Sequence, residues 1–307
     1  MRCPGASGRG RAAVPAVVLD AVALTYDATV TIVSAPGSSA NLGPGFDVLG
    51  LAVACHVRAS DEPLHTDDTQ AGNKACGPDH IARIAYEMAG GTSPLFFDFD
   101  LPPSRGLGFS AAARAAGAVL AFLQRGVEVD EAQTLGFRIV TELEGHGDNA
   151  APAIFGGVHV IAGEHQHRLD ATLPGKLLLW VPSLNTTPTD ESRAAMSSTV
   201  ERSDAVFNLG RMGLLIAAMY EGNAELLGLA TQDRLHQPER LAAAPETKQA
   251  VEAALDAGAH AAWLSGSGPT VAIVVEPGQE QAVTDALPST GAVMTPALDT
   301  VGAVPLA

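Results

Sequence analysis

The segment Pro36-Gly-Ser-Ser-Ala-Asn-Leu-Gly-Pro-Gly-Phe-Asp-Val-Leu-Gly50 constrains this chain more than any other. It packs turn-forming residues and two polar side chains, Asn41 and Asp47, into a stretch that runs directly into an apolar strand, Val48 to Cys55. An ordinary linker ends in polar filler, whereas this loop ends in a core element. Asn41 and Asp47 are therefore expected at the mouth of a core, where a loop on a rigid scaffold can bind a small molecule.

Around that segment the pattern alternates between elements of both kinds. Strands are expected at Thr29 to Val33, after the loop through Ala59, and at Leu95 to Leu101, Ala153 to Ala162, Lys176 to Val181, Ala261 to Leu264, Val271 to Val275 and near Ala292. Helical spacing predicts helices at Asp79 to Ala89, stopped by Gly90-Gly91, and at Ala111 to Gln124 and Asp130 to Glu144. Further helices are expected at Asp190 to Ala195, Asp204 to Tyr220, Ala224 to Arg234, Glu246 to Ala257 and Gln279 to Ala286, with a polar surface excursion at Asp61 to Ala75. The fold class is α+β. At 307 residues the chain fits two domains, 29–175 and 176–307, behind an extension of residues 1–28. In that extension Arg2, Arg9 and Arg11 precede the short apolar run Ala12 to Leu19, which Asp20 interrupts. It reads as a disordered or loosely attached extension rather than a targeting signal.

Charge narrows the partners. Thirty-four acids against 18 bases give a net charge of −16, and the lysines are Lys74, Lys176 and Lys248 alone. Such a field repels phosphate backbones and anionic lipid, so no nucleic acid and no membrane partner is expected. An anion site on this chain must lean on arginines, backbone N–H groups and a divalent cation. Cys3, Cys55 and Cys76 are odd in number and lack metal-ligand spacing, which reads as a reducing cytoplasm with inert thiols.

Three more segments carry chemistry. Gly106-Leu107-Gly108-Phe109-Ser110 lies between a strand and a helix, where glycines admit a ligand close to the backbone and free N–H groups favour an anion. It lacks the lysine of GxxxxGK[ST] and the third glycine of a dinucleotide fingerprint, so alone it is a weak signal and more often a plain structural turn. Ser265-Gly-Ser-Gly-Pro-Thr270 is a second glycine loop whose simple reading is a turn between strands. Between them, Glu142-Leu-Glu144-Gly-His146-Gly-Asp148-Asn149 brings carboxylates of the kind that magnesium takes, or else is a solvated helix end with an Asp/Asn turn.

Taken in order and spacing, these segments resemble the motifs of the GHMP small-molecule kinases, and most sharply the branch that phosphorylates homoserine. The resemblance rests on Ser38 to Gly50, Pro103 to Ala112, Glu144-Gly-His-Gly-Asp-Asn-Ala-Ala-Pro-Ala-Ile-Phe-Gly-Gly157, Asp204 to Arg211, Asp233 to Arg240 and Leu264 to Thr270, and covers residues 29 to 302. It implies a ribosomal-S5-like N-terminal domain and a ferredoxin-like C-terminal domain with ATP and L-homoserine in the groove between. The implied reaction is transfer of the γ-phosphoryl group to the homoserine hydroxyl, giving O-phospho-L-homoserine in threonine biosynthesis.

Carried over residue by residue, the resemblance implies that Pro103, Ser104, Arg105, Gly106, Leu107, Gly108, Ser110 and Ala111, with Gly266, Ser267 and Gly268, hold the nucleotide. Glu144 and Ser110 would hold Mg2+, with Glu142 as the alternative carboxylate. Asn41, Asp47, His146, Asn149, Thr189, Arg193 and Arg240 would bind the amino acid, the two arginines gripping its carboxylate with a planar fork that lysine lacks. Asn149, Asp47 and Ser110 would serve the chemical step. Many relatives have an aspartate base where this pattern places Asn149, so no strong general base is expected, and Asp148 is assigned a turn. Members of the family often form homodimers. Two departures stand out: Phe109 replaces the first serine of Gly-Leu-Gly-Ser-Ser, and Gly147 follows His146 where the family has proline. Phe109 leaves open a catalytically weakened relative, and another GHMP kinase acting on a different alcohol is the other alternative.

Overall fold

A computed structural model describes residues 31–65, 72–183, 193 and 196–306. The extension 1–28, Thr189 and the expected helix Asp190 to Ala195, apart from Arg193, lie outside the described residues.

The first sheet is built on β1 (Ile32–Ala40) and β2 (Leu49–Ser60), paired antiparallel with a register shift between Pro36 and Gly37. Sequence alone places Pro36 to Ala40 in a loop. Pairing wins because a proline and its following glycine fit at an irregularity in the ladder, where no regular N–H donor is required. The first glycine-rich motif thus starts as strand and turns only at Asn41. β3 (Phe96–Phe99) and β4 (Val158–Ala162) both pair with β2, and β5 (His165–Leu169) extends the sheet from β4.

Helices α1 (Ile81–Met88), α2 (Phe109–Gln124), α3 (Val129–Glu144) and α4 (Ala150–Phe155) accompany this sheet. In α2 every residue but Phe109, Ser110 and Arg114 is buried, which explains its alanine content: a helix surrounded on all sides needs small apolar residues. A Cβ at Gly117 would overlap the Ala82 carbonyl, so this glycine sets how closely α1 crosses α2. The apolar run after Asn149 is the helix α4 as far as Phe155 and a strand only from Val158, which corrects the expected strand at Ala153 to Ala162. Periodicity does not separate a short buried helix from a short buried strand.

The second sheet follows. Its strands are β6 (Lys176–Pro182), β7 (Ala261–Leu264), β8 (Val271–Val275) and β9 (Gly291–Met294), in the order β7-β8-β6-β9 with antiparallel neighbours. Helices α5 (Arg202–Glu221), α6 (Leu227–Ala230), α7 (Gln237–Ala243) and α8 (Pro245–Asp256) lie between β6 and β7, and α9 (Glu280–Ala286) between β8 and β9. Two central strands from opposite halves of such a β-α-β-β-α-β order make a ferredoxin-like layer. The expected helix Ala224 to Arg234 is instead a 3-10 turn at Ala224–Leu226 and the short α6, after which the chain loops to α7.

The chain end returns to the first sheet, where β10 (Val304–Pro305) pairs with β1 and Leu298 bridges to Val53. Among the described residues no helix is long and apolar enough to cross a membrane.

Candidate active site

A cleft of roughly 340 Å3 lies where β1 to β2, the start of α2, the end of α3 and the β7–β8 loop meet. Three backbone devices form it. Gly106 and Gly108 both have positive φ (72° and 65°), and Gly108 opens α2. A Cβ on Gly106 would overlap the Ser265 carbonyl, and one on Gly108 would overlap the Ser38 hydroxyl. Only glycine fits either place. The first N–H groups of α2 have no partner within the helix, and Gly108, Phe109, Ser110 and Ala111 all line the cleft, so this corner favours an anion.

The two glycine loops are bonded to one another and to the first motif. Ser265 Oγ donates to Gly106 O at 2.7 Å, Gly266 N donates to Ala40 O at 3.2 Å, and Asn41 Nδ2 donates to Gly266 O at 3.0 Å. Asn41 Oδ1 accepts from the Asp47 N–H at 3.0 Å, closing the turn between them. Both residues hold the left-handed backbone region, φ 73° and 58°, which non-glycine residues enter at a cost and chiefly where function holds them there. Asn41 is thus a tie between loops as well as a lining residue.

The opposite wall carries charge. Arg193 pairs with Asp47 through two bonds of 2.8 Å, and its guanidinium lies 5.4 Å from the Phe46 ring centre. Arg240 lies 5.3 Å from the same ring, so one small molecule can reach both cations. Arg240 is 7% exposed. Its Nη1 donates to Gly266 O and to His236 Nδ1, both at 3.1 Å, while its Nε is buried without an acceptor among the described residues. Burial, and then the nearby Arg193, push its pKa down. His236 donates from Nε2 to Gly43 O at 2.9 Å, which leaves Nδ1 to accept from Arg240. Burial lowers the imidazole pKa, in keeping with that neutral tautomer. The fully buried Asp233 side chain, three residues before the N-cap His236, accepts from the N–H groups of His236 and Gln237 at 3.0 and 2.7 Å at the start of α7. The run Asp233 to Arg240 is therefore one device: a helix start held by a buried carboxylate, which aims an arginine into the cleft.

The floor is Glu144-Gly-His-Gly-Asp-Asn149. Glu144, the last residue of α3, lines the cleft and is paired from behind with Arg114 of α2. His146 Nδ1 lies 2.6 Å from Asp148 Oδ1, and this bond raises the histidine pKa against the opposing effect of burial. The buried Asp148 also accepts from the Asn149 N–H at 2.9 Å and the Asn149 side-chain amide at 3.3 Å. Ser38 Oγ donates to Asn149 Oδ1 at 2.9 Å. Asn149 is therefore fixed from both sides.

The cleft brings together Asn41, Asp47, Pro103, Ser104, Arg105, Gly106, Gly108, Ser110, Ala111, Glu144, His146, Asn149, Arg193, Arg240, Gly266, Ser267 and Gly268. Leu107 is not among them. Its side chain is buried in the core and only its carbonyl serves the loop, accepting from Ser38 N at 2.9 Å. Glu142 is also absent, because it faces solvent on α3 two residues before Glu144, whereas Glu144 faces the cleft. Phe109 lines the cleft, with its ring edge-on to Phe99 at 5.2 Å and Phe97 at 6.0 Å. Ser38, Phe46, Arg114 and His236 also belong to the site, although the local sequence gives the first two and His236 no mark of their own. Arg114 carried a signal, as the one charged residue in an alanine helix.

Residues 79–157 match the family described as GHMP kinases N terminal domain, and residues 215–293 match GHMP kinases C terminal. A homoserine kinase of Clavibacter michiganensis is 39% identical over 267 residues, covering 80% of this chain and 83% of its own length. A homoserine kinase of Desulfitobacterium hafniense is 34% identical over 270 residues, covering 82% and 89%. The crystal structure of homoserine kinase from Cytophaga hutchinsonii superimposes with a TM-score of 0.75 at 23% identity, covering 92% of this chain and all of its own, which speaks to the fold.

Proposed function

The chain belongs to the GHMP kinase family, and we propose that it transfers the γ-phosphoryl group of ATP to the hydroxyl of L-homoserine. The observation that carries this is the joining of both glycine loops, Asp47 and the two guanidinium groups over Phe46 in one cleft. A nucleotide's polyphosphate fits the amide-rich corner at Gly106 to Ala111. An amino acid fits the opposite wall, because its ammonium and carboxylate match Asp47 and the arginines in sign. Entry of that zwitterion replaces the Arg193–Asp47 pair with complementary contacts from each charge. Arg240, buried and with an Nε lacking an acceptor among the described residues, is already desolvated for a carboxylate.

The donor set fits magnesium. Ser110 and Glu144 supply hard oxygens at the phosphate corner, and among the described residues no trio of His, Cys, Asp or Glu gathers that would hold an ion without phosphate and water. Bound there, magnesium would neutralise charge on the β- and γ-phosphate oxygens. The chain's own residues orient the rest. Asn149, fixed by Ser38 and Asp148, stands where the hydroxyl is to be held, and an amide cannot take its proton. Asp148 is committed to His146 and Asn149. Transfer then proceeds by attack of the hydroxyl oxygen on the γ-phosphorus as the bond to the β-phosphate oxygen breaks. The hydroxyl proton passes to a phosphoryl oxygen rather than to a protein base, and rate comes from alignment and charge neutralisation. Phe109 does not oppose this reading, since its ring packs against Phe97 and Phe99 while Ser110 keeps its place in the lining.

The test is magnesium-dependent ADP release with L-homoserine, mevalonate, galactose or shikimate as acceptor. Turnover with homoserine alone is expected. Turnover confined to another alcohol reassigns the substrate.

A further inference from the structure

Ser39 on β1, Trp263 on β7 and Ser265 just after β7 are buried together where the first sheet meets the second. The Trp263 indole Nε1–H donates to Ser39 Oγ at 3.2 Å, Ser39 Oγ and Ser265 Oγ lie 2.9 Å apart, and Ser265 Oγ donates to Gly106 O at 2.7 Å. Proton counting gives these bonds one direction. An indole N–H only donates, a carbonyl only accepts, and a serine hydroxyl has a single proton. With the Ser265 proton on Gly106 O, the contact between the two hydroxyls takes the proton of Ser39. The bonds therefore run from Trp263 through Ser39 and Ser265 to Gly106 O, each hydroxyl accepting from one neighbour and donating to the next. Hydrogen bonds joined head to tail in this way polarise and strengthen one another.

Their end point is a residue with little restraint of its own. Gly106 holds a φ of 72°, and the missing Cβ that permits this conformation also leaves the backbone free to abandon it. Two successive carbonyls of the turn are held from outside: Gly106 O by Ser265, and Leu107 O by the Ser38 N–H at 2.9 Å. In a trans peptide the N–H lies opposite the C=O, so these bonds also set the directions of the Leu107 and Gly108 N–H groups. Ser38 and Ser39 are consecutive on a strand, so their side chains face opposite ways. One hydroxyl holds Asn149, and the other continues the path from Trp263.

We propose, on the assignment of this corner to the nucleotide's phosphates, that Ser265, oriented by Ser39 and Trp263, is a positioning residue for ATP. Through it the second domain holds the Gly106 turn of the first in its anion-binding shape. None of the three side chains lines the cleft, so each acts through the backbone it holds.

The test is binding of a non-hydrolysable ATP analogue with magnesium, by isothermal titration calorimetry, with thermal unfolding and steady-state kinetics on the same samples. Ser265→Ala releases the Gly106 carbonyl. It should weaken binding by about 10-fold, the worth of one hydrogen bond, and raise the ATP KM alike, with the homoserine KM within about twofold. Ser39→Ala keeps the last bond but removes its orienting donor, and should weaken binding by about threefold. The double variant should bind within about twofold of Ser265→Ala, because a single path is cut only once. Trp263→Phe opens a gap in the core and should lower the melting temperature most, yet leave nucleotide affinity within about twofold, since both hydroxyls remain. A parent that binds the analogue while Ser265→Ala binds it equally well overturns the proposal. So does nucleotide affinity that falls in step with melting temperature across the three single variants. A parent that does not bind the analogue overturns the nucleotide assignment, and the proposal with it.

Discussion

Replacing Glu144 with alanine is expected to remove both turnover and part of the stability, and the two losses can be separated. Glu144 and Arg114 form a pair through Arg114 Nη1, their side chains only 13% and 18% exposed, and Arg114 Nε is buried with no acceptor among the described residues. Arg114 sits in a helix otherwise packed with buried alanines. Deleting the carboxylate strands a cation there, at a cost of about 3 kcal/mol, the low end for buried pairs because both groups keep some surface. For a chain of 307 residues that lowers the melting temperature by about 5 °C. Replacing both partners, Arg114→Met with Glu144→Met, removes the stranded charge and should return the melting temperature to within about 2 °C of the parent. Turnover should stay depressed in both variants, by on the order of 100-fold or more, because the phosphate corner has lost its carboxylate. Thermal unfolding followed by near-ultraviolet circular dichroism, with ADP release on the same samples, reads both quantities. Recovery of turnover in the double variant would refute the reasoning, since Glu144 would then serve the fold alone.

Arg240→Ala should raise the homoserine KM by about 10- to 100-fold, the worth of a charge-assisted hydrogen bond, with the ATP KM unchanged; steady-state kinetics in both substrates decide it, and equal effects would take Arg240 away from the carboxylate. Stability should fall by about 1–3 kcal/mol, the cost of leaving the buried His236 Nδ1 without its donor, while Gly266 O keeps its bond from Asn41. Phe109→Ser should lower stability by about 1–3 kcal/mol through the lost contacts with Phe97 and Phe99 and leave the ATP KM within about threefold; an ATP KM lowered tenfold or more would show that the missing hydroxyl matters. The bond to Asp148 raises the His146 pKa, so the stabilisation it gives is complete below the unfolded value of about 6.5 and is lost as pH rises through the folded value. The difference in stability between the parent and His146→Gln, measured by chemical denaturation, should therefore be largest below about pH 6.5 and shrink above it; a difference that grows with pH contradicts the assignment.

Much of this was legible in the chain because local rules and the global fold agree. The alanine run after Ser110 reads as a helix, and the expected and observed spans of α2 and α3 differ by two residues at most. What stayed hidden was set by partners distant in sequence. Pro36 to Ala40 looks like loop until β2 supplies its ladder. Whether Glu142 or Glu144 faces the cleft depends on the helical register at the end of α3 and on Arg114, thirty positions away. Asp233 stands out in the sequence only as the start of the segment Asp233 to Arg240; that its carboxylate holds the N–H groups opening α7, and so aims Arg240, shows only in the fold. The return of Val304 to β1 leaves no mark in the local pattern at all.

The most direct measurement is a crystal structure of the protein with magnesium, a non-hydrolysable ATP analogue and L-homoserine together. It should place the terminal phosphates over the backbone N–H groups of residues 108 to 111 and the amino-acid carboxylate within hydrogen-bonding distance of Arg240. A nucleotide bound away from the Gly106 turn, or an amino acid oriented with its ammonium toward Arg240, would contradict the account.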